Sequence, residues 1–257
     1  MFDRNQPAEG IVAGKNSVIE LLRSDNPVDK VFMQKELMNS GIMLKIKAMA
    51  KDKGVPVKEV SQEKLKELCG DLVNQGVAAM GAACKFVDLD DLFAFAEEKG
   101  EKPYFILCDD IEDPHNLGAI IRCADATGAH GVIIPKRHGA GMTASVMRSS
   151  AGAAGHVLIA RVPNLASAID EMKERNVWIY AADMDGQSWC QTNYDGAVCL
   201  VIGSEGKGVG RLIKDKCDVV VSLPMCGKVN SLNASVAGGI LMYEIARQRL
   251  GLKSFQK

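Results

Sequence analysis

The chain is 257 residues long, 47% apolar and 25% charged, with a formal net charge of −1. Such values suit a soluble globular protein of one large domain or two smaller ones. Whole-chain electrostatics give no sign of a nucleic-acid partner, although an average conceals local patches. The opening residues, MFDRNQPAEG, lack the apolar core of a signal peptide. No run reaches the roughly 18 uninterrupted apolar residues of a membrane span, so a cytoplasmic protein with no membrane partner is expected. The eight cysteines (69, 84, 108, 123, 190, 199, 217, 226) form no C-x-x-C pair. Reduced, mostly buried thiols are expected, with no metal site.

In chain order, residues 14–23 (GKNSVIELLR) place apolar positions at helical spacing, with Asn16 or Ser17 as N-cap. Residues 28–34 alternate as a strand, and 40–53 return to a helical pattern with lysines 45, 47, 51 and 53 on one face. A solvated face accounts for those lysines better than a nucleic-acid contact. Residues 55–60 are strand-like, 61–69 open on Ser61 with Glu63 in a helical first turn, and 77–83 close the unit as a strand. Residues 1–83 are therefore expected as a small α/β domain, and the acidic stretch 84–102 as a linker.

From Pro103 the alternation becomes regular. YFILCDD, HGVIIP, HVLIARV, VWIYAAD, AVCLVIG and DVVVSLP are six apolar runs, separated by loops or by helical patterns at 116–127, 143–150, 164–175 and 232–250. Runs alternating with helices predict an α/β fold, with a mostly parallel sheet covered on both faces over 103–257. Ligands of such sheets bind at the carboxyl ends of strands. After YFILCDD there is no G-x-G-x-x-G, and GSEGKGVG lacks the Gly-Lys-Ser/Thr ending of a P-loop. Dinucleotide and NTPase readings lose their support.

Three polar segments stand out instead: DPHNLGAIIRCADATG (113–128), IGSEGKGV (202–209) and LPMCGKVNSLNASVAGGI (223–240). In order and over about 103–250, they resemble the three motifs of the SpoU/TrmH family of RNA ribose 2′-O-methyltransferases. Residues 1–83, through GKNSVIELL and NQGVAA, resemble the small ribosomal-protein-like RNA-binding domain of the bacterial large-subunit rRNA guanosine methyltransferases in that family. The resemblance implies S-adenosylmethionine as cofactor, a C-terminal trefoil knot, and a homodimer whose active site is completed across the interface.

Methyl transfer to a ribose hydroxyl needs no metal and no covalent nucleophile. It needs the hydroxyl held in line with the methyl group and its developing negative charge stabilised. The resemblance implies this work for Asn116, Arg122, Glu205, Ser231 and Asn233. Arg122 has a guanidinium too basic to act as a general base, so it is expected to stabilise the 2′-oxygen and position a phosphate; the bland alternative is a surface ion pair. Asn116 doubles as a candidate N-cap, as do Asn230 and Ser231 for the last helix. Glu205 is expected to orient Asn116 or the ribose. Ile202, Gly203, Gly206, Leu223, Met225 and Leu232 are implied around the cofactor, against the alternative that apolar strand ends are simply core. Ser204 and the Gly-Lys-Val-Asn before Ser231 depart from the commonest family pattern without touching these groups.

No acidic residue lies between Asp125 and Asp170, a span of 44 residues. Within it Lys136, Arg137 and Arg148, with His138, are expected to contact RNA phosphates, whereas 151–155 reads as a packing or dimer segment. The expected function is 2′-O-methylation of a guanosine in bacterial 23S rRNA, with RNA and no DNA as partner. Methylation of tRNA ribose or of an rRNA adenosine is the alternative within the family. A non-catalytic RNA-binding or ribosome-assembly protein is the alternative from another class.

Overall fold

A computed structural model describes residues 7–8, 10–23, 27–81 and 85–252. They fall into two units, Met1–Lys85 with Gly141–Ser145, and Phe86–Ala140 with Val146–Lys257.

The smaller unit runs β1 (Ile11–Ala13), α1 (Lys15–Arg23), β2 (Val28–Gln34), α2 (Gly41–Asp52), β3 (Val57–Val60), α3 (Gln62–Cys69) and β4 (Val77–Gly81). Its sheet has the order β1-β4-β2-β3, with β2 and β3 parallel and the other pairs antiparallel. Strand alternation divides the core in two. Val31 and Met33 pack with Val18 and Leu22 of α1 and Met43 and Ile46 of α2. Phe32, between them, faces Leu65 and Cys69 of α3. Ser61 caps α3 by accepting from the Lys64 N–H at 3.2 Å. The expected cap of α1 is corrected: the helix begins at Lys15, whose N–H donates to Gln75 Oε1, and Asn16 and Ser17 lie inside its first turn.

The larger unit continues with α4 (Leu89–Glu98), β5 (Tyr104–Cys108), α5 (Pro114–Ala126), β6 (Gly131–Pro135), α6 (Ala144–Ser149, from Val146 on), β7 (Leu158–Val162), α7 (Leu165–Glu174), β8 (Trp178–Ser188), β9 (Val198–Ile202), α8 (Arg211–Lys216), β10 (Val219–Ser222) and α9 (Ala234–Arg249). The six apolar runs are the six strands of one wholly parallel sheet, ordered β10-β8-β9-β5-β6-β7. On one face Phe105, Leu107, Ile133, Ile179 and Val201 pack against α4, α7 and Ile213 of α8. On the other lie α5 and α9, tied to the sheet by the Tyr104 hydroxyl donating to Met242 O and by Gly238 seated against Ile202.

Within the stretch expected as a linker, the described residues from Phe86 on belong to the larger unit's fold. Residues 89–98 form α4, whose Leu89 and Leu92 are buried in the larger core, and Val87 bridges to Ala160 of β7. The acidic face that suggests a linker is the solvent side of an amphipathic helix. Helix α8, six residues long, is too short to leave a periodicity in the sequence. Among the described residues, no helix is long and apolar enough to cross a membrane.

Candidate active site

The polar segments meet at the carboxyl ends of β5, β8, β9 and β10. Asp113 starts α5: its Oδ1 accepts from the His115 N–H at 2.9 Å, and Pro114 occupies the first turn. Asn116 is thus relieved of capping. It sits inside the helix, 6% exposed, with its amide turned to groups far away in sequence. Asn116 Nδ2 donates to Glu205 Oε1. Asn233 Nδ2 donates to the same oxygen at 2.7 Å and to Asn116 Oδ1 at 3.0 Å. Asn233 is also the true N-cap of α9, its Oδ1 accepting from the N–H groups of Ser235 and Val236. The cap decides which end of the amide faces the helix, and so aims the Nδ2 at the carboxylate.

Ser235 completes this cluster, its Oγ lying 3.2 Å from Asn116 Oδ1 and 2.6 Å from Asn233 Oδ1. Sequence reasoning missed it; its spacing two residues after Asn233, in a helical first turn, was the available signal. Ser231 lines the adjoining cleft without hydrogen-bonding to these side chains in the structure, and neither it nor Asn230 is the cap.

The loop after β9 turns back on itself: Ser204 and Gly208 exchange backbone hydrogen bonds at 3.1 and 2.9 Å. A Cβ on Gly203 would lie 2.1 Å from the Gly208 carbonyl carbon, so only glycine permits this closure. Gly206, at φ +83°, makes the turn. Asp109, which the sequence reading overlooked, anchors the far end by accepting from the Gly210 N–H at 2.7 Å; burial pushes its carboxyl above the usual range.

A cleft of about 610 Å³ opens beside the cluster. Ile202, Gly203, Gly206, Leu223, Met225 and Leu232 all line it, as do Glu205, Ser231 and Asn233. An apolar cleft of this size with a few converging polar groups matches a nucleoside-sized ligand. Arg122 is not brought there. It is exposed on α5, six residues beyond Asn116, hence about 9 Å along the axis and on another face.

Of the cationic candidates, Arg137 and Arg148 are exposed and Lys136 is partly so, around the end of β6 and on α6. Two other basic residues of that span are interior: His130 is fully buried, and Arg161 stacks on Phe86 at 4.1 Å. Ala153 and Ala154 are buried, in keeping with packing. Cys69, Cys108 and Cys199 are buried thiols, with Cys108 pushed up to about 12 by burial, whereas Cys190 and Cys226 are exposed.

The SpoU rRNA methylase family model matches residues 103–243, and the model for RNA 2′-O ribose methyltransferase substrate binding matches 11–86. A Bacillus subtilis protein assigned to the TrmH family of tRNA/rRNA methyltransferases is 48% identical over 93% of this chain and 95% of its own. The chain belongs to the SpoU/TrmH family of RNA methyltransferases. Among solved structures of the family, the SpoU methyltransferase AviRb from Streptomyces viridochromogenes, in complex with AdoMet, superposes with a TM-score of 0.59 at 26% identity, over 94% of this chain and 90% of that one. The A. aeolicus TrmH/SpoU tRNA modifying enzyme is 30% identical with a TM-score of 0.54, over 63% and 84%. For a SpoU/TrmH protein, the cluster and cleft bring the second and third motifs against the start of the first.

Proposed function

We propose that this protein transfers a methyl group from S-adenosylmethionine to a ribose 2′-hydroxyl of RNA, with a guanosine of bacterial 23S rRNA as the target, in the cytoplasm. The carrying observation is the Asn116–Glu205–Asn233 cluster at the mouth of a nucleoside-sized cleft. The cleft fits the cofactor: Ile202, Leu223, Met225 and Leu232 offer apolar walls, and Gly203 and Gly206 let backbone approach closely. Bound there, S-adenosylmethionine supplies a methyl group on a sulfonium that departs as a neutral thioether.

The chain's own residues provide the rest. Both amide hydrogen bonds fall on Glu205 Oε1, which leaves Oε2 to accept from an incoming hydroxyl. Two amides fixing the carboxylate preorganise it, so little reorganisation accompanies reaction. Arg122 brings a planar guanidinium that stabilises oxyanion charge. Because it lies away from the cluster of its own protomer, it reaches the cluster of a second copy. Val236, Ile240 and Tyr243 form an exposed apolar stripe on α9 at helical spacing, suited to such a homodimer. Arg137, Arg148 and Lys136 contact RNA phosphates, and residues 1–83 select the RNA. The C-terminal trefoil knot belongs to the same reading. It is supported by β10 lying at the sheet edge while α9 returns to β9, so that 223–233 crosses the strand ends.

The test is incubation with methyl-labelled cofactor and deproteinised 23S rRNA or tRNA, followed by alkaline hydrolysis. A 2′-O-methyl group blocks cleavage, so the label should appear in an alkali-resistant dinucleotide beginning with guanosine. Label entering tRNA alone would move the target, and RNA binding without label would sink the enzyme reading.

A further inference from the structure

A second acidic side chain faces the cleft, and the chemistry above does not use it. Strand β8 is interrupted on its β10 side: Val220 pairs with Ala181, and Val221 with Gln187, so residues 182–186 leave the ladder. This excursion carries Asp183 into the cleft wall, and Ala182, Asp183 and Met184 all line it. The carboxylate is 17% exposed and held from two sides. Oδ1 accepts from the Met184 N–H at 2.6 Å, and Oδ2 pairs with Lys214 Nζ of α8 at 2.8 Å. The loop after β9 passes close by, since a Cβ on Gly208 would stand 3.8 Å from Oδ2.

Asp183 and Glu205 are the two acidic residues of the cleft lining. They come from different strands, and they are committed differently. Glu205 belongs to the amide cluster that joins α5 and α9. Asp183 stands on the β8 side, nearer the sheet edge formed by β10. A carboxylate keeps acceptor capacity after two contacts, having about four lone-pair sites. A fixed carboxylate in a nucleoside-sized cleft matches a vicinal diol, the way acidic residues take ribose hydroxyls in dinucleotide sites. Lys214, paired with Oδ2, holds the carboxylate in place at the cleft wall.

We infer that Asp183, clamped by Lys214, binds the ribose hydroxyls of the methyl donor's adenosine and so ranks ligands by whether they carry that diol. The inference rests on the assignment of the cleft to S-adenosylmethionine, and the experiment separates the two. Wild-type protein, Asp183→Asn and Lys214→Met are titrated calorimetrically with four ligands. These are S-adenosylmethionine, S-adenosylhomocysteine, 5′-deoxy-5′-methylthioadenosine and the 2′,3′-dideoxy form of the last. Asp183→Asn should weaken the first three by a similar factor, roughly ten- to a hundredfold, the loss expected of charge-assisted hydrogen bonds. The dideoxy ligand should bind all three proteins alike, and Lys214→Met should keep a preference for the diol.

Weaker binding of the two amino-acid-bearing ligands with methylthioadenosine unaffected would overturn the inference, because the carboxylate would then serve the ammonium group. Unaltered binding of all four, with only a lower Tm, would reduce Asp183 to a clamp for α8 and overturn it as well. Failure of the wild type to bind any of them removes the cofactor assignment itself. Thermal melts of both variants check that each is folded.

Discussion

At the residue scale, the proposed active cluster matches one carboxylate with two amides. Replacing Asn116 by Asp keeps the shape but sets a second carboxylate against Glu205, in a side chain only 6% exposed. Like charges at that distance cannot both ionise freely. Asn116→Asp should therefore lower methyl transfer by roughly a hundredfold or more at pH 7, an oxyanion-type loss. Part of it should return as the pH falls, as a pH–rate profile will record. His130 illustrates a different residue-scale rule. Its Nδ1 accepts from the Tyr104 N–H at 3.0 Å, so a second proton can enter only by breaking that bond. Burial holds its pKa below the ordinary value; Glu101 opposes this, and Arg249 and Lys99 add to it. A lowered folded pKa gives stability that is present above the unfolded value of about 6.5 and lost as pH falls through the folded value. The Tm should drop between pH 7 and pH 5, and His130→Gln, which can still accept from Tyr104, should reduce that drop.

At the element scale, what matters is how strand ends and helix starts are joined. The β9–α8 connection closes only because Gly203 leaves room for its own return segment. Gly203→Ala should cost about 1–3 kcal/mol or more, as overpacking does, and should abolish cofactor binding, measured by denaturant melts and by calorimetry. The helix starts show what the sequence could and could not disclose. That α5 and α9 begin near the first and third polar segments was legible, because proline and asparagine mark such places. Which residue caps each was not: Asp113 rather than Asn116, and Asn233 rather than Asn230 or Ser231. Several cap-competent residues stand within a few positions, and only the backbone path chooses among them. The linker reading of 84–102 falls short for a related reason, since a helix that buries one face looks like a charged spacer on the other.

At the scale of the whole molecule, Arg122 is separated from the cluster of its own protomer, and the apolar stripe of α9 is exposed. The proposed homodimer would account for both. Mixing inactive Arg122→Ala with inactive Asn116→Ala should restore activity, to about a quarter of wild type if subunits exchange at random in a two-fold dimer. Should the mixture stay inactive while sedimentation shows exchanged dimers, each protomer must carry a complete site.

The sequence by itself determined the class of fold, the sites of the six sheet strands and the family. Apolar runs of strand length alternating with helices leave few architectures, and three spaced polar motifs leave few chemistries. Strand order, by contrast, is a matter of long-range pairing. Nothing local places β9 between β8 and β5, or sends β10 beyond β8. That order brings Asn116, Glu205, Asn233 and Ser235 together across as many as 119 positions, and it sets Asp183 in the wall of the same cleft. Contacts between residues so distant in the chain are decided by packing of the whole sheet and its covering helices, so only the tertiary structure discloses them.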